Sequence, residues 1–286
     1  MVFLSDSPAA TAGCLRQRFR FSTCRACAEA CATRAITINK AEITLNQPQC
    51  TDCGACLFVC PVNAITGIRP PRRGYRSGVL CAPLTYPAPD VEELKSWHAE
   101  YHIRAVELNV TAAPGWALAI ARLNLYLQAV NEPVWQALPP AAPEQNAGLR
   151  RLLHLPQHND ALQASVTPGK RLHRRYFSRY REYALAISPQ NCQLCGACGR
   201  ACPEGALIFN EGGWMIDDAK CTGCKACVAS CLHNAITVTA EVAPARQQYI
   251  PLHQRHCARC RRPFLAWDAH AMHCHICCRH LHGMRS

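Results

Sequence analysis

Residues 192–203 read Cys-Gln-Leu-Cys-Gly-Ala-Cys-Gly-Arg-Ala-Cys-Pro, a C-x2-C-x2-C-x3-C-P run. The same cysteine spacing recurs at Cys221, Cys224, Cys227 and Cys231. It also occurs earlier, at Cys50, Cys53, Cys56 and Cys60, where Pro61 follows. Upstream of that lie Cys24, Cys27 and Cys31, the same pattern without its first cysteine. An offset of 171 residues (195 − 24) carries all seven N-terminal cysteines onto cysteines of the later pair of motifs. The flanks repeat too, Asn63-Ala64-Ile65-Thr66 becoming Asn234-Ala235-Ile236-Thr237. The chain therefore holds two copies of one two-motif module. Phe21 stands where the missing cysteine would fall.

Twenty-two of the 286 residues are cysteine. The length suggests two or three domains. An apolar fraction of 49% supplies real cores and excludes a wholly disordered chain. The best apolar stretch, Trp116 to Val130, is broken by Arg122 and Asn124, so no membrane span is expected. The N-terminal residues lack the charged and apolar regions of a signal peptide. Ala12-Gly13-Cys14 resembles a lipoprotein cleavage site, but no apolar run precedes it. A cytoplasmic location is expected, and there thiolates serve as metal ligands rather than disulfides.

The spacing has a physical meaning. C-x2-C-x2-C wraps three thiolates around one iron–sulfur cubane and leaves the fourth iron to a cysteine from another motif. The motifs resemble those of bacterial two-[4Fe–4S] ferredoxins. Zinc in the same thiolates fits less well, because zinc sites favour paired C-x2-C knuckles. The resemblance implies crossed ligand sets. In the C-terminal module, 188–240, they are Cys192, Cys195, Cys198 with Cys231, and Cys221, Cys224, Cys227 with Cys202. In the N-terminal module, 14–68, one set is Cys50, Cys53, Cys56 with Cys31. The other set, Cys24, Cys27 and Cys60, is one ligand short. Cys14 is a displaced fourth ligand if its segment folds back; otherwise the site has an open iron, has three irons, or is absent.

Ala35 to Ile38 and Glu42 to Leu45 read as two strands around Asn39-Lys40, with counterparts at Ala206 to Asn210 and Trp214 to Asp217. Each module is expected to bury little core of its own and to depend on its clusters for folding.

In the tail, 253–282, Cys257 and Cys260 are followed by Cys274 and Cys277, a paired-knuckle pattern that predicts one structural zinc in a zinc-ribbon-like unit. A mononuclear iron site is the alternative, though the knuckles lack the glycine common in rubredoxins. Cys278, His256, His273, His275 and His280 crowd the region, and of the histidines His275 is the one kept as a ligand candidate.

The middle of the chain carries no cluster motif. Val79 to Cys81, a helix capped by Asp90 and running to Tyr101, Ala105 to Val110, and a helix striped by Trp116, Ile120, Leu123, Leu127 and Val130 suggest a small α/β insert over 75–131 with a parallel strand pair. Residues 132–168 read as a linker. Residues 169–186 read as a basic amphipathic helix, with Leu172, Tyr176, Tyr180 and Tyr183 on one face and Arg69-Pro70-Pro71-Arg72-Arg73 extending its patch. Cys81 reads as a buried structural cysteine. No dinucleotide or nucleotide phosphate motif is present in the sequence.

The fold class is thus α+β: two dicluster ferredoxin-like modules flanking a small α/β insert, with a C-terminal zinc-ribbon-like tail. The net charge of +12 shrinks on metal loading. Four clusters and one zinc, each carrying about −2 with its thiolates, bring it to about +2, so the basic excess does not indicate nucleic acid. No acid–base pair or nucleophile triad stands out, and no small-molecule substrate is evident. The expected function is electron transfer through up to four [4Fe–4S] clusters to or from a partner oxidoreductase. The layout loosely resembles accessory iron–sulfur proteins of molybdenum-type oxidoreductases such as formate dehydrogenases. Rival readings are a maturation factor, a redox-responsive nucleic-acid binder using the tail, and an enzyme acting at the odd cluster.

Overall fold

A computed structural model describes residues 9–40, 42–84, 87–140, 161–210 and 212–281. The chain divides into two compact units, 1–14 with 25–176 and 15–24 with 177–286.

The first unit opens with β1 (Ala9–Ala10). A short helix, α1 (Leu15–Arg18), follows it in sequence and belongs to the second unit. Next come α2 (Ala26–Glu29), β2 (Ile36–Asn39), β3 (Glu42–Leu45), α3 (Ala55–Val59) and β4 (Ile65–Thr66). β2 and β3 form the expected antiparallel hairpin, with Lys40 in the left-handed region at its turn. β1 pairs antiparallel with β4, Ala10 facing Ile65.

The insert follows: β5 (Arg73–Arg76), β6 (Val79–Leu80), α4 (Val91–Glu100), β7 (Ala105–Glu107), α5 (Pro114–Ala129), β8 (Gln136–Leu138) and β9 (Leu162–Ala164). They make one five-stranded sheet in the order β8-β7-β6-β5-β9. β6, β7 and β8 run parallel; β5 is antiparallel to β6 and to β9. The expected parallel pair is present, and Asp90 caps α4 by accepting the Glu92 N–H at 2.9 Å.

The insert is larger than 75–131. The segment read as a linker supplies β8 and β9; its residues 141–160 lie outside the described residues. Asn124 holds β8's approach. Its side chain accepts the Trp135 N–H at 2.8 Å and donates to the Trp135 carbonyl at 2.9 Å. Leu94, Trp97, Ile103, Val106, Leu123 and Leu127 are fully buried. Arg73 departs from the expected basic patch: it is buried and paired with Glu93, Nη2 to Oε2 at 2.9 Å. Cys81 is buried, as expected.

The basic helix is also shorter than predicted. α6 spans Lys170–Tyr176, after which β10 (Tyr180–Ile187) is a strand. Tyr180 and Tyr183 therefore do not share a helix face with Leu172. β10 pairs antiparallel with β13 (Ile236–Pro244), and this distant partner overrides the local helical spacing.

The second unit continues with α7 (Ala197–Ala201), β11 (Leu207–Asn210), β12 (Gly213–Asp217) and α8 (Ala226–Ser230), then β14 (Gln247–Pro251), β15 (His253–His256), β16 (Pro263–Ala266) and α9 (His275–Leu281). β14 adds a third strand to the β11–β12 hairpin. The module buries more than its cluster motifs alone suggested. Trp214, Leu207, Ile216, Ile236 and Leu252 belong to its core, and Leu265 and Trp267 of the tail pack against it.

Candidate metal centres

In the second module one pocket, with about 350 Å³ of empty space partly open to solvent, is lined by Cys192, Cys195, Cys198 and Cys231. Another, of about 310 Å³, is lined by Cys202, Cys221, Cys224 and Cys227. Each draws three cysteines from one motif and one from the other. Apolar side chains complete the walls, among them Ile187 and Trp214 in the first and Leu185 and Val238 in the second. Gln193 and His233 also line the first, and Glu204, Thr222 and Lys225 the second. Four thiols converging on one pocket fit a cysteine-ligated cubane.

Local backbone geometry explains why these loops form. In each complete motif the residue before the second cysteine is left-handed: Asp52, Leu194 and Gly223. So is the residue after that cysteine: Gly54, Gly196 and Lys225. These reversals bend the loop so that three cysteines face inward, the third from a short helix. The motif at Cys24 lacks both: Arg25 has φ −133°, and no positive φ occurs at Thr23. All four motifs are left-handed three residues after the last cysteine, at Arg34, Asn63, Gly205 and Asn234. That turn aims a backbone N–H back at sulfur. The N–H groups of Ala35, Ala64 and Ala235 donate to the Sγ of Cys31, Cys60 and Cys231 at 3.2, 3.2 and 3.3 Å. Such bonds are a means of tuning cluster potential, and the cysteine spacing alone did not reveal them.

In the first module Cys27 and Cys56 are buried together, with Cys31 packed against them. Burial, followed by the neighbouring thiols Cys53, Cys27, Cys50 and Cys31, pushes the Cys56 thiol up to about 12. Burial, with Cys192 and Cys231 beside it, likewise pushes Cys198 up to about 11. At Cys31 burial acts upward, but hydrogen bonds from Thr33, Ile36 and Ala35 outweigh it and lower the thiol. Cys56 and Cys198 therefore favour the protonated thiol and release a proton on binding metal.

Cys14 and Cys60 lie together in a small buried cluster with Ala64. The two modules arrive at this point by similar routes, with a turn one residue shorter in the first. Ala10 pairs with Ile65 as Ile187 pairs with Ile236. The Thr11 N–H donates to the Ala64 carbonyl at 2.7 Å, and the Ser188 N–H to the Ala235 carbonyl at 2.7 Å. The Cys14 N–H then donates to Thr11 at 2.9 Å, and the Cys192 N–H to Ser188 at 3.0 Å. By backbone position Cys14 is thus the counterpart of Cys192. Phe21, at the aligned sequence position, is 61% exposed. Cys24 is half-buried, in the segment 15–24.

In the tail, the sulfur atoms of Cys257, Cys260, Cys274 and Cys277 all lie within 4.8 Å of one another. The first knuckle closes the β15–β16 hairpin, with Arg261 left-handed; the second opens α9. Hydrogen bonds, those of the Cys260 and Cys274 backbone first, lower Cys257 to about 5, while burial raises Cys277 to about 12. His275 is exposed and outside this group.

Comparison with known proteins agrees with this geometry. Residues 22–64 match the 4Fe-4S dicluster domain family, and residues 185–208 the 4Fe-4S binding domain family. The chain is 36% identical over 63 residues to pyruvate synthase subunit PorD of Methanocaldococcus jannaschii, covering 22% of this chain and 73% of that protein. It belongs to the 4Fe–4S ferredoxin-domain family of iron–sulfur, electron-transfer proteins. It is also 39% identical over 49 residues to a probable iron-sulfur subunit of the Frd operon of Proteus vulgaris, covering 16% of this chain and 31% of that protein. With one of the selenate reductase subunits of Mesobacillus selenatarsenatis it shares 33% identity over 111 residues, covering 35% of this chain and 38% of that protein. The chain thus spans about a third of the length of these last two relatives. Among the described residues no helix is long and apolar enough to cross a membrane.

Proposed function

We propose that this chain is a four-cluster electron carrier acting as a subunit or accessory protein of an oxidoreductase. A bound [4Fe–4S] cluster supplies reversible one-electron storage. The observation that carries the reading is the pair of pockets in the second module, each lined by four cysteines from two motifs. Cys192, Cys195, Cys198 and Cys231 hold one cluster; Cys221, Cys224, Cys227 and Cys202 hold another. In the first module Cys50, Cys53, Cys56 and Cys31 hold the third. Cys24, Cys27, Cys60 and Cys14 hold the fourth, a reading supported by the shared burial of Cys14 and Cys60. The backbone N–H groups of Ala35, Ala64 and Ala235 stabilise added negative charge on the sulfurs they face.

Cys257, Cys260, Cys274 and Cys277 hold one zinc as a structural staple. No residue set in the modules suggests substrate conversion, so the chemistry belongs to a partner in the cytoplasm. Similarity to the selenate reductase and Frd operon proteins supports an oxidoreductase partner; a molybdenum-type one is suggested by layout.

Anaerobic protein should be reduced and reoxidised through repeated cycles without losing its cluster EPR signals. Clusters that cannot be reduced, or that fall apart after one cycle, would exclude the carrier role and favour a maturation factor.

A further inference from the structure

The insert holds a cleft that the electron-transfer reading does not use. It lies at the C-terminal end of β6, where parallel pairing on one side gives way to antiparallel pairing on the other. Open α/β sheets commonly place ligands beyond the carboxyl ends of their strands, where the strand arrangement changes. The cleft has about 560 Å³ of empty space, open solvent included, more than either cysteine pocket on the same measure. Arg72, Arg73, Gly74, Cys81, Trp116 and Gln163 carry its distinctive chemistry.

Among the described residues that line it there is no acidic side chain, and there are two guanidinium groups. Arg73 is fixed in place: its guanidinium lies 4.9 Å from the centre of the Trp116 ring and is paired with Glu93 behind it. Much of its charge is spent on that carboxylate. Arg72 is exposed at the rim, and Nη2 donates to the Gln163 carbonyl at 3.1 Å, so its charge is tethered beside the opening. Gly74 keeps the floor clear. A Cβ there would press to 3.1 Å on Gln163 Nε2 and 3.3 Å on Ala161 Cβ. Cys81 contributes a thiol rather than a charge, since burial and then Glu107 raise it against the pull of Arg76. It therefore does not repel an anion.

We propose that this cleft binds a small organic anion of the carboxylate class, with Arg72 as its main charged contact and Trp116 and Cys81 as its wall. The proposal is independent of how many clusters the chain holds. It gives the insert a role of its own, that of a ligand-responsive element within an electron carrier.

Alkylation of Cys81 tests it. The metal-loaded protein is treated at mildly alkaline pH with iodoacetate, a carboxylate, or with neutral iodoacetamide, and modification of the Cys81 peptide is followed by mass spectrometry. The ratio of the iodoacetate rate to the iodoacetamide rate should be several-fold higher in the folded protein than in a synthetic peptide of residues 78–84. It should fall several-fold in Arg72→Gln, and acetate should slow the iodoacetate reaction alone. Gly74→Ala should slow both reagents together. An equal ratio in the folded protein, the peptide and Arg72→Gln would overturn the proposal. So would failure of both reagents to reach Cys81 in the folded chain.

Discussion

Trp267 of the tail donates its indole N–H to the backbone carbonyl of Cys192 at 3.4 Å. The same ring packs against the core of the second ferredoxin module, with Leu265 beside it. The hairpin that the four tail cysteines close therefore packs against a cluster module. A structural metal contributes its binding energy to folding, so on the proposed zinc assignment that contribution extends beyond the tail.

Stripping the tail metal with a zinc chelator, under conditions that leave iron bound, should lower the melting temperature of the second module as well as melt the tail. Trp267→Phe keeps an aromatic ring but loses the donor and part of the packing, and should cost about 1 kcal/mol or more. It should also alter the EPR signal of one cluster. A second module whose melting and spectra ignore the tail would contradict this coupling.

Gly223, between Cys221 and Cys224, has φ +68°, and a Cβ there would run into the Tyr183 ring. Gly223→Ala should destabilise the module by about 1–3 kcal/mol and lower occupancy of the Cys221, Cys224, Cys227 and Cys202 site. Denaturant melts together with iron content would report it. Gly205→Ala is the control, because a Cβ there meets nothing within 4 Å although its φ is also left-handed. It should keep its iron, which separates steric overlap from backbone strain.

His98 is buried in the insert, accepting the Trp135 indole N–H on Nδ1 at 3.0 Å. Burial first, then Arg104, lower it to about 4, against the pull of Glu132. The unfolded chain binds the proton more readily, so this histidine's contribution is complete above pH 6.5 and is lost as pH falls toward 4. The insert should lose stability across that window, and His98→Gln should flatten the slope. Insert stability that stays level from pH 6.5 to 4 would contradict the assignment.

The ferredoxin modules were legible because cysteine spacing is a direct record of a ligand's geometry. The repeat of 171 residues fixed both copies at once, and short strands such as Ile36–Asn39 and Leu207–Asn210 fell where expected. The tail cysteines were legible for the same reason. What escaped was non-local. Leu172, Tyr176, Tyr180 and Tyr183 have helical spacing, yet Tyr180 and Tyr183 belong to a strand whose partner lies more than fifty residues away, Tyr183 facing Ala240. Residues 132–168 looked like a linker because they are rich in Pro, Ala, Gln and Asn. Val134 to Leu138 is nevertheless apolar except for Gln136 before Pro139-Pro140, a strand signal that the composition masked. The N–H bonds to Cys31, Cys60 and Cys231 depend on left-handed turns at residues such as Arg34, whose side chain carries no such signal.

The equivalence of Cys14 and Cys192 bears directly on the number of clusters. Cys14 follows a strand and a hydrogen-bonded turn similar to those before Cys192, the turn being one residue shorter, and it is buried with Cys60. The most direct test is iron, acid-labile sulfide and zinc per chain in anaerobically prepared wild type and Cys14→Ser, with EPR on the reduced samples. The wild type should hold about sixteen irons with matching sulfide and one zinc, and Cys14→Ser about twelve to fifteen irons with the zinc unchanged. A wild type holding about twelve irons, unaltered in content and spectrum by Cys14→Ser, would contradict four cysteine-ligated clusters and remove Cys14 from the metal chemistry.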